Sequence, residues 1–104
     1  MKLSDFTWMT KPQHKHIRTE DAGRQIVLDF SKYHLSIIDD GYGREKGLFE
    51  IGVFKASDGV ASEMMYLPGI TDDGDTVKGH LTEDEVNVII RKMTSITRTN
   101  PKQV

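Results

Sequence analysis

Four histidines and a knot of aspartates are the residues of this chain whose types and spacing come nearest to chemistry. His14 and His16 stand two apart, so in an extended segment both imidazoles point the same way, as two metal ligands would. No third ligand follows at a fixed spacing, and a solvated pair in a polar segment accounts for them more simply. Asp72, Asp73 and Asp75 gather around Gly74 like the start of a calcium loop. Counted from Asp73, however, the fifth and sixth places are Val77 and Lys78, where that loop needs an oxygen ligand and a glycine. Turn-forming aspartates explain the acidic loop 71–76 without a cation. His34, Ser36 and Asp39 supply the residue types of a hydrolytic triad, but a triad is a three-dimensional geometry, and an exposed strand face explains the same six residues. His80, just ahead of Thr82, has no nucleophile or partner beside it in sequence. Gly41-Tyr42-Gly43 lacks both the G-x-G-x-x-G pattern and the Walker lysine, and it precedes a strand where a phosphate cradle precedes a helix. No catalytic, cofactor or metal residue is assigned on these grounds, and the chain reads as a non-enzyme.

Two other groups point to binding. Lys11, Lys15 and Arg18, with His14 and His16 between them and Trp8 ahead, give the N-terminal region local positive charge and an aromatic ring. Trp8, Lys11, Lys15 and Arg18 are therefore candidates for nucleic-acid contact, the cations on phosphates and the indole on a base. Glu20 and Asp21 follow at once, and the whole chain has a formal net charge of -2, without the basic bias of a dedicated nucleic-acid binder. Met64, Met65, Tyr66 and Leu67 are apolar on both faces of one strand, as in a subunit interface or a central buried strand. They are the candidate interface, for a protein partner or a second copy.

The elements that must position these groups follow from periodicity. With 104 residues the chain is expected to form one domain around one core. Residues 1–23 read as a polar arm anchored by Phe6, Trp8 and Met9 and broken by Pro12, which either pins itself to the body through Trp8 or pairs with a neighbouring subunit. Residues 24–80 read as strands. Ile26, Leu28 and Phe30 form one face and Gln25, Val27 and Asp29 the other, and Tyr33, Leu35 and Ile37 alternate with His34, Ser36 and Ile38, with Ser31-Lys32 as a tight connection or the middle of one long bent strand. Residues 39–47 are turn chemistry with three glycines, 48–55 and 60–67 are further strands, and Asp58-Gly59 between them is a hairpin signal.

Residues 81–98 read as a helix. Thr82 and Glu85 form a capping box, Leu81 and Val86 a hydrophobic staple, and Val86, Ile89, Ile90, Met93 and Ile96 an apolar stripe. The expected architecture is α+β: an antiparallel meander or small curved barrel of four to five strands covered on one face by the C-terminal helix. An Sm-like or SH3-like small barrel is the alternative, since glycines 41, 43, 47, 52 and 59 would allow bends. The absence of cysteine, of a long apolar run and of a signal-peptide pattern fits a cytoplasmic protein without a membrane partner.

The segments Tyr33-His34-Leu35-Ser36-Ile37, Gly41-Tyr42-Gly43, Leu48-Phe49-Glu50-Ile51-Gly52-Val53-Phe54, Asp58-Gly59 and Gly79-His80-Leu81-Thr82-Glu83-Asp84-Glu85-Val86 occur in one order over residues 33–96. In that order they resemble small uncharacterised proteins of T-even-like, often marine, tailed phages. The resemblance implies an origin in a phage, with residence in the bacterial cytoplasm or the virion, and transfers no active-site residue. His80 stands where the pattern has tyrosine. The expected function is that of a non-enzymatic accessory protein working through protein contacts or homo-oligomerisation, and the alternative is a small nucleic-acid-binding barrel that uses the basic arm.

Overall fold

Alternation of apolar and polar residues builds a sheet here, and one amphipathic helix covers it. The computed structural model describes residues 1–10 and 23–104, so Lys11, Lys15, Arg18, His14 and His16 lie outside the described residues. In chain order the elements are β1 (Met9–Thr10), β2 (Arg24–Asp29), β3 (Tyr33–Ile38), β4 (Phe49–Ser57), β5 (Val60–Met64), β6 (Val77–Leu81), α1 (Glu83–Thr97) and β7 (Lys102–Gln103). Short 3-10 turns occupy Leu3–Asp5 and Arg44–Lys46. The fold is α+β, an antiparallel meander with a C-terminal helix, as the periodicity predicts.

Every pairing among the described residues is antiparallel. β2, β3 and β4 form the middle of the sheet, β1 and β7 share the outer edge of β2, and β5 and β6 share the outer edge of β4. Seven strands are present rather than four to five, because the two-residue β1 and β7 carry no periodicity that a sequence could show. The sheet does not close, which removes the small-barrel alternative: its outer strands pair only inward, and closure would need the β4 side to bond to the β2 side.

The turns are set by residues able to take positive φ. Asp58 and Gly59, at φ 53° and 79°, make the two-residue connection between β4 and β5, as a type I′ turn requires. Between β2 and β3 the chain turns at Ser31, φ 76°, with Phe30 N–H donating to Tyr33 C=O at 2.8 Å. The tight connection is therefore the correct reading of residues 25–38, and the long bent strand is not.

Ile26, Leu28, Leu35, Ile37, Ile51 and Val53 stand on one face of β2, β3 and β4 and are fully buried. α1 lies against that face with Val86, Ile89, Ile90 and Met93 buried, each contributing about 1.5–3 kcal/mol by leaving water. Ile96 departs from the expected stripe, being 52% exposed. At 100° per residue Thr97, not Ile96, continues the line from Val86 through Ile90 and Met93. The start of α1 is as predicted. Glu85 N–H donates to Thr82 Oγ1 at 3.2 Å, and Glu85 Oε1 accepts from Thr82 N–H at 3.0 Å.

Of the two expectations for residues 1–10, pinning to the body is the one seen, with Trp8 packed against the core. Leu3 is buried in the core, and its N–H donates to Oδ1 of the buried Asn87 of α1 at 2.7 Å. β1 pairs with β2 of its own chain, so these residues complete the fold instead of reaching for a neighbouring subunit.

Candidate interaction surface

A sheet covered by one helix leaves a second face, and its composition decides what that face does. Strand register places three rows of residues there. Met9, Gln25, Ile38 and Glu50 form the first row. Val27, Ser36, Gly52 and Val77 form the second, and Val104 joins them through its N–H bond to Val27 C=O at 2.9 Å. Lys102, Asp29, His34, Phe54 and Met64 form the third.

This helix-free face is mostly apolar. Met9 and Val104 are 55% and 69% exposed and Met64 41%, while Val27, Ile38 and Phe54 are half-buried. The Met64 methyl lies over Gly52, where a Cβ would come within 2.9 Å of it. The polar residues near the centre satisfy one another where they can: Gln25 Nε2 donates to Ser36 Oγ at 2.8 Å. The exception is His34. It is buried, its Nε2 has no hydrogen-bond partner, and the nearest acidic oxygen, Asp29 Oδ1, is 3.7 Å away. The charges of the face, Lys102 and Asp29 in one outer row and Glu50 in the other, leave its middle row uncharged.

The candidate interface 64–67 divides across this geometry. Met64 and Tyr66 are exposed, whereas Met65 packs against the core and Leu67 belongs to it. The Tyr66 hydroxyl bonds to Asp73 Oδ1 at 3.1 Å, tying the acidic loop to the strand. Asp72 and Asp75 are likewise used in turns: Asp72 N–H donates to Val77 C=O, Asp75 N–H to Asp72 C=O, and Asp75 Oδ1 accepts from Thr76 N–H. Among the described residues no group of three or more His, Asp or Glu side chains could hold a metal ion.

Trp8 lies elsewhere. Its ring stacks on Phe49 with centroids 5.6 Å apart, and the Arg24 guanidinium sits 5.1 Å from its centre while also bonding to Asp39 at 2.8 Å. An indole held in this way belongs to the rim of the core, and the structure does not bring it to the helix-free face. Asp39 stands opposite Arg24 and so on the helix side of β3, whereas His34 and Ser36 face the other way. The three residue types of a triad are thus split between two faces by strand alternation.

His80 is exposed at φ 56°, held there because its N–H donates to Tyr42 C=O at 2.9 Å. An open polar cleft of about 310 Å³, lined by Asp29, Ser31, Asp58, Thr99, Asn100 and Lys102, lies where the two hairpin turns approach β7. It contains no nucleophile bonded to a base, and the Thr99 hydroxyl already donates to Thr97 C=O.

The residues that sequence reasoning missed are those of the face itself: Met9, Val27, Ile38, Phe54 and Val104. The signal for most of them was present, since Val27, Ile38 and Phe54 are apolar at the strand positions that alternation leaves outside the core. No protein-family model, curated protein or solved structure matches the chain. No helix among the described residues is long and apolar enough to cross a membrane.

Proposed function

We propose that this chain works by protein contact and not by catalysis, as a small accessory protein that presents the helix-free face of its sheet to a partner. The observation that carries this reading is the number of exposed and half-exposed apolar side chains on one face, Met9, Val27, Val104, Ile38, Phe54 and Met64, around an uncharged middle row. Exposed apolar side chains gathered on one face are what interaction sites present. The resemblance of residues 33–96 to small proteins of T-even-like phages agrees with an accessory role in the host cytoplasm or the virion.

Photo-crosslinking tests it. Benzoylphenylalanine placed at position 9 or 104, on the face, is expected to give a discrete adduct, self or heterologous, whose crosslinked peptide mass spectrometry identifies. The same group at position 91, on the exposed side of α1, is expected to give none. Equal yields from all three positions, or none from any, would refute the reading.

A further inference from the structure

The partner of the helix-free face follows from its size, its charge and the alternatives for covering it. We propose that it is a second copy of the chain: two sheets pack face to face through these rows, with both α1 helices outside, giving a helix–sheet–sheet–helix dimer. The proposal rests on the protein-contact reading above and names its partner.

The first argument is area. The face is five strand positions wide at about 4.8 Å each and three rows deep at about 6.8 Å each, or about 500 Å² in projection before side-chain relief is counted. Stable interfaces bury about 800 Å² of accessible surface per partner, so the face is of the right order for a dimer and larger than a peptide needs. Packed sheets sit about 10 Å apart with side chains of the two inner faces interleaved, which suits a face whose exposed Met9, Met64 and Val104 stand around the small, buried Ser36.

The second argument is charge. A two-fold axis brings a face against itself, so a single-signed face would repel its copy. Here the middle row carries no charge, and the outer rows carry Lys102 as well as Asp29 and Glu50.

Other occupants fit less well. Residues 11–22 offer one large apolar side chain, Ile17, among Lys11, His14, Lys15, His16, Arg18, Glu20 and Asp21, a poor match for an apolar surface. Edge-to-edge pairing of two β5 strands is opposed by the register shift between Phe54 and Ala56, since a bulge breaks the regular alternation of outward N–H and C=O groups that a ladder needs.

The test is sedimentation equilibrium of the full chain over a wide concentration range. The mass of two chains is expected, with Val27→Lys and Phe54→Lys each weakening association by about a hundredfold, since each places a lysine at an apolar contact twice per dimer. Val60→Lys, at the β5 edge, and Val88→Lys, on the outer side of α1, are expected to leave it unchanged. Far-UV circular dichroism reports whether each variant keeps its fold. Should the face variants unfold, a nitroxide on the exposed Val104→Cys, the chain's sole thiol, answers instead: labels at the rim of facing sheets lie closer together than labels on Arg91→Cys, outside on the helices. A dimer lost only in Val60→Lys, or label distances that are shorter at 91 than at 104, would overturn the proposal. A strict monomer would overturn it too. If positions 9 and 104 then still capture a different protein, the protein-contact reading survives, and if they capture nothing both fail.

Discussion

Replacing Asn87 by alanine tests the attachment of the N-terminus to the helix. Asn87 is buried on α1, and its Oδ1 accepts the Leu3 N–H at 2.7 Å across 84 residues of sequence. Truncation deletes the acceptor and leaves a buried donor unmet, a cost of about 1–3 kcal/mol. Alanine is the better helix former, which returns about 0.5 kcal/mol. The net expectation is a destabilisation of about 1–2 kcal/mol, and for a domain of this size that lowers Tm by about 5–10 °C. Urea unfolding should show a lower midpoint at unchanged slope, because the core behind the contact is untouched. Hydrogen exchange supplies the residue-level check: the Leu3 amide should be protected in the parent and exchange rapidly in the variant. A neutral Asn87→Ala together with a Leu3 amide that already exchanges freely in the parent would refute the reasoning, since residues 1–10 would then be an arm after all.

Three further outcomes follow from local geometry. Gly79→Ala should destabilise by about 1–3 kcal/mol, because the new Cβ would lie 2.5 Å from Tyr42 Cβ, whereas Gly52→Ala should cost less, since only the flexible end of Met64 stands in the way; thermal melts of the pair decide the order. Arg98→Gly should stabilise by about 0.5–1 kcal/mol, because Arg98 ends α1 at φ 53°, where a Cβ is strained and glycine is not. The bond from Thr82 N–H, and then that from its hydroxyl, holds the Glu85 carboxyl below its usual value. A group depressed in the folded state contributes stability that is present above its unfolded value and lost as pH falls through the folded one. Acid should therefore weaken the start of α1, and Thr82→Ala, which removes the hydroxyl bonds, should flatten that dependence in pH-stepped denaturation.

The helix start was legible because a capping box is local: Thr82 and Glu85 need only each other. The strand faces were legible because period-two alternation survives whatever the strand packs against. The ends of the sheet were not, since β1 and β7 are two residues long, and β7 exists through pairing with β2 across most of the chain. The Gln103 side chain both accepts from Thr7 N–H and donates to Thr7 C=O, linking β7 to the segment just ahead of β1, and nothing near either residue in sequence announces it. For the candidate surface the limit was different. Met64 to Leu67 stood out because four apolar residues are adjacent, but only Met64 and Tyr66 reach the surface. The remaining surface is spread over five strand positions, so it becomes a patch only when register brings Met9, Val27, Ile38 and Val104 together.

Salt separates the two binding readings more sharply than any single substitution. An interface built on Val27, Ile38, Phe54 and Met64 is driven by removal of apolar area from water, which screening barely touches and which excluded salts such as sulfate strengthen. Nucleic-acid contact through Lys11, Lys15 and Arg18 would instead release counterions, so its affinity must fall steeply with added salt. With three cations engaged, the slope of log K against log salt would be about -2 to -3. Trp8 adds little to that second reading, because its ring is already held by Phe49 and Arg24. Self-association followed by light scattering in rising sodium chloride, and then in sodium sulfate, should be flat in the first and strengthened in the second. A dimer that dissociates in sodium chloride would show that charge, and not the apolar face, holds it together.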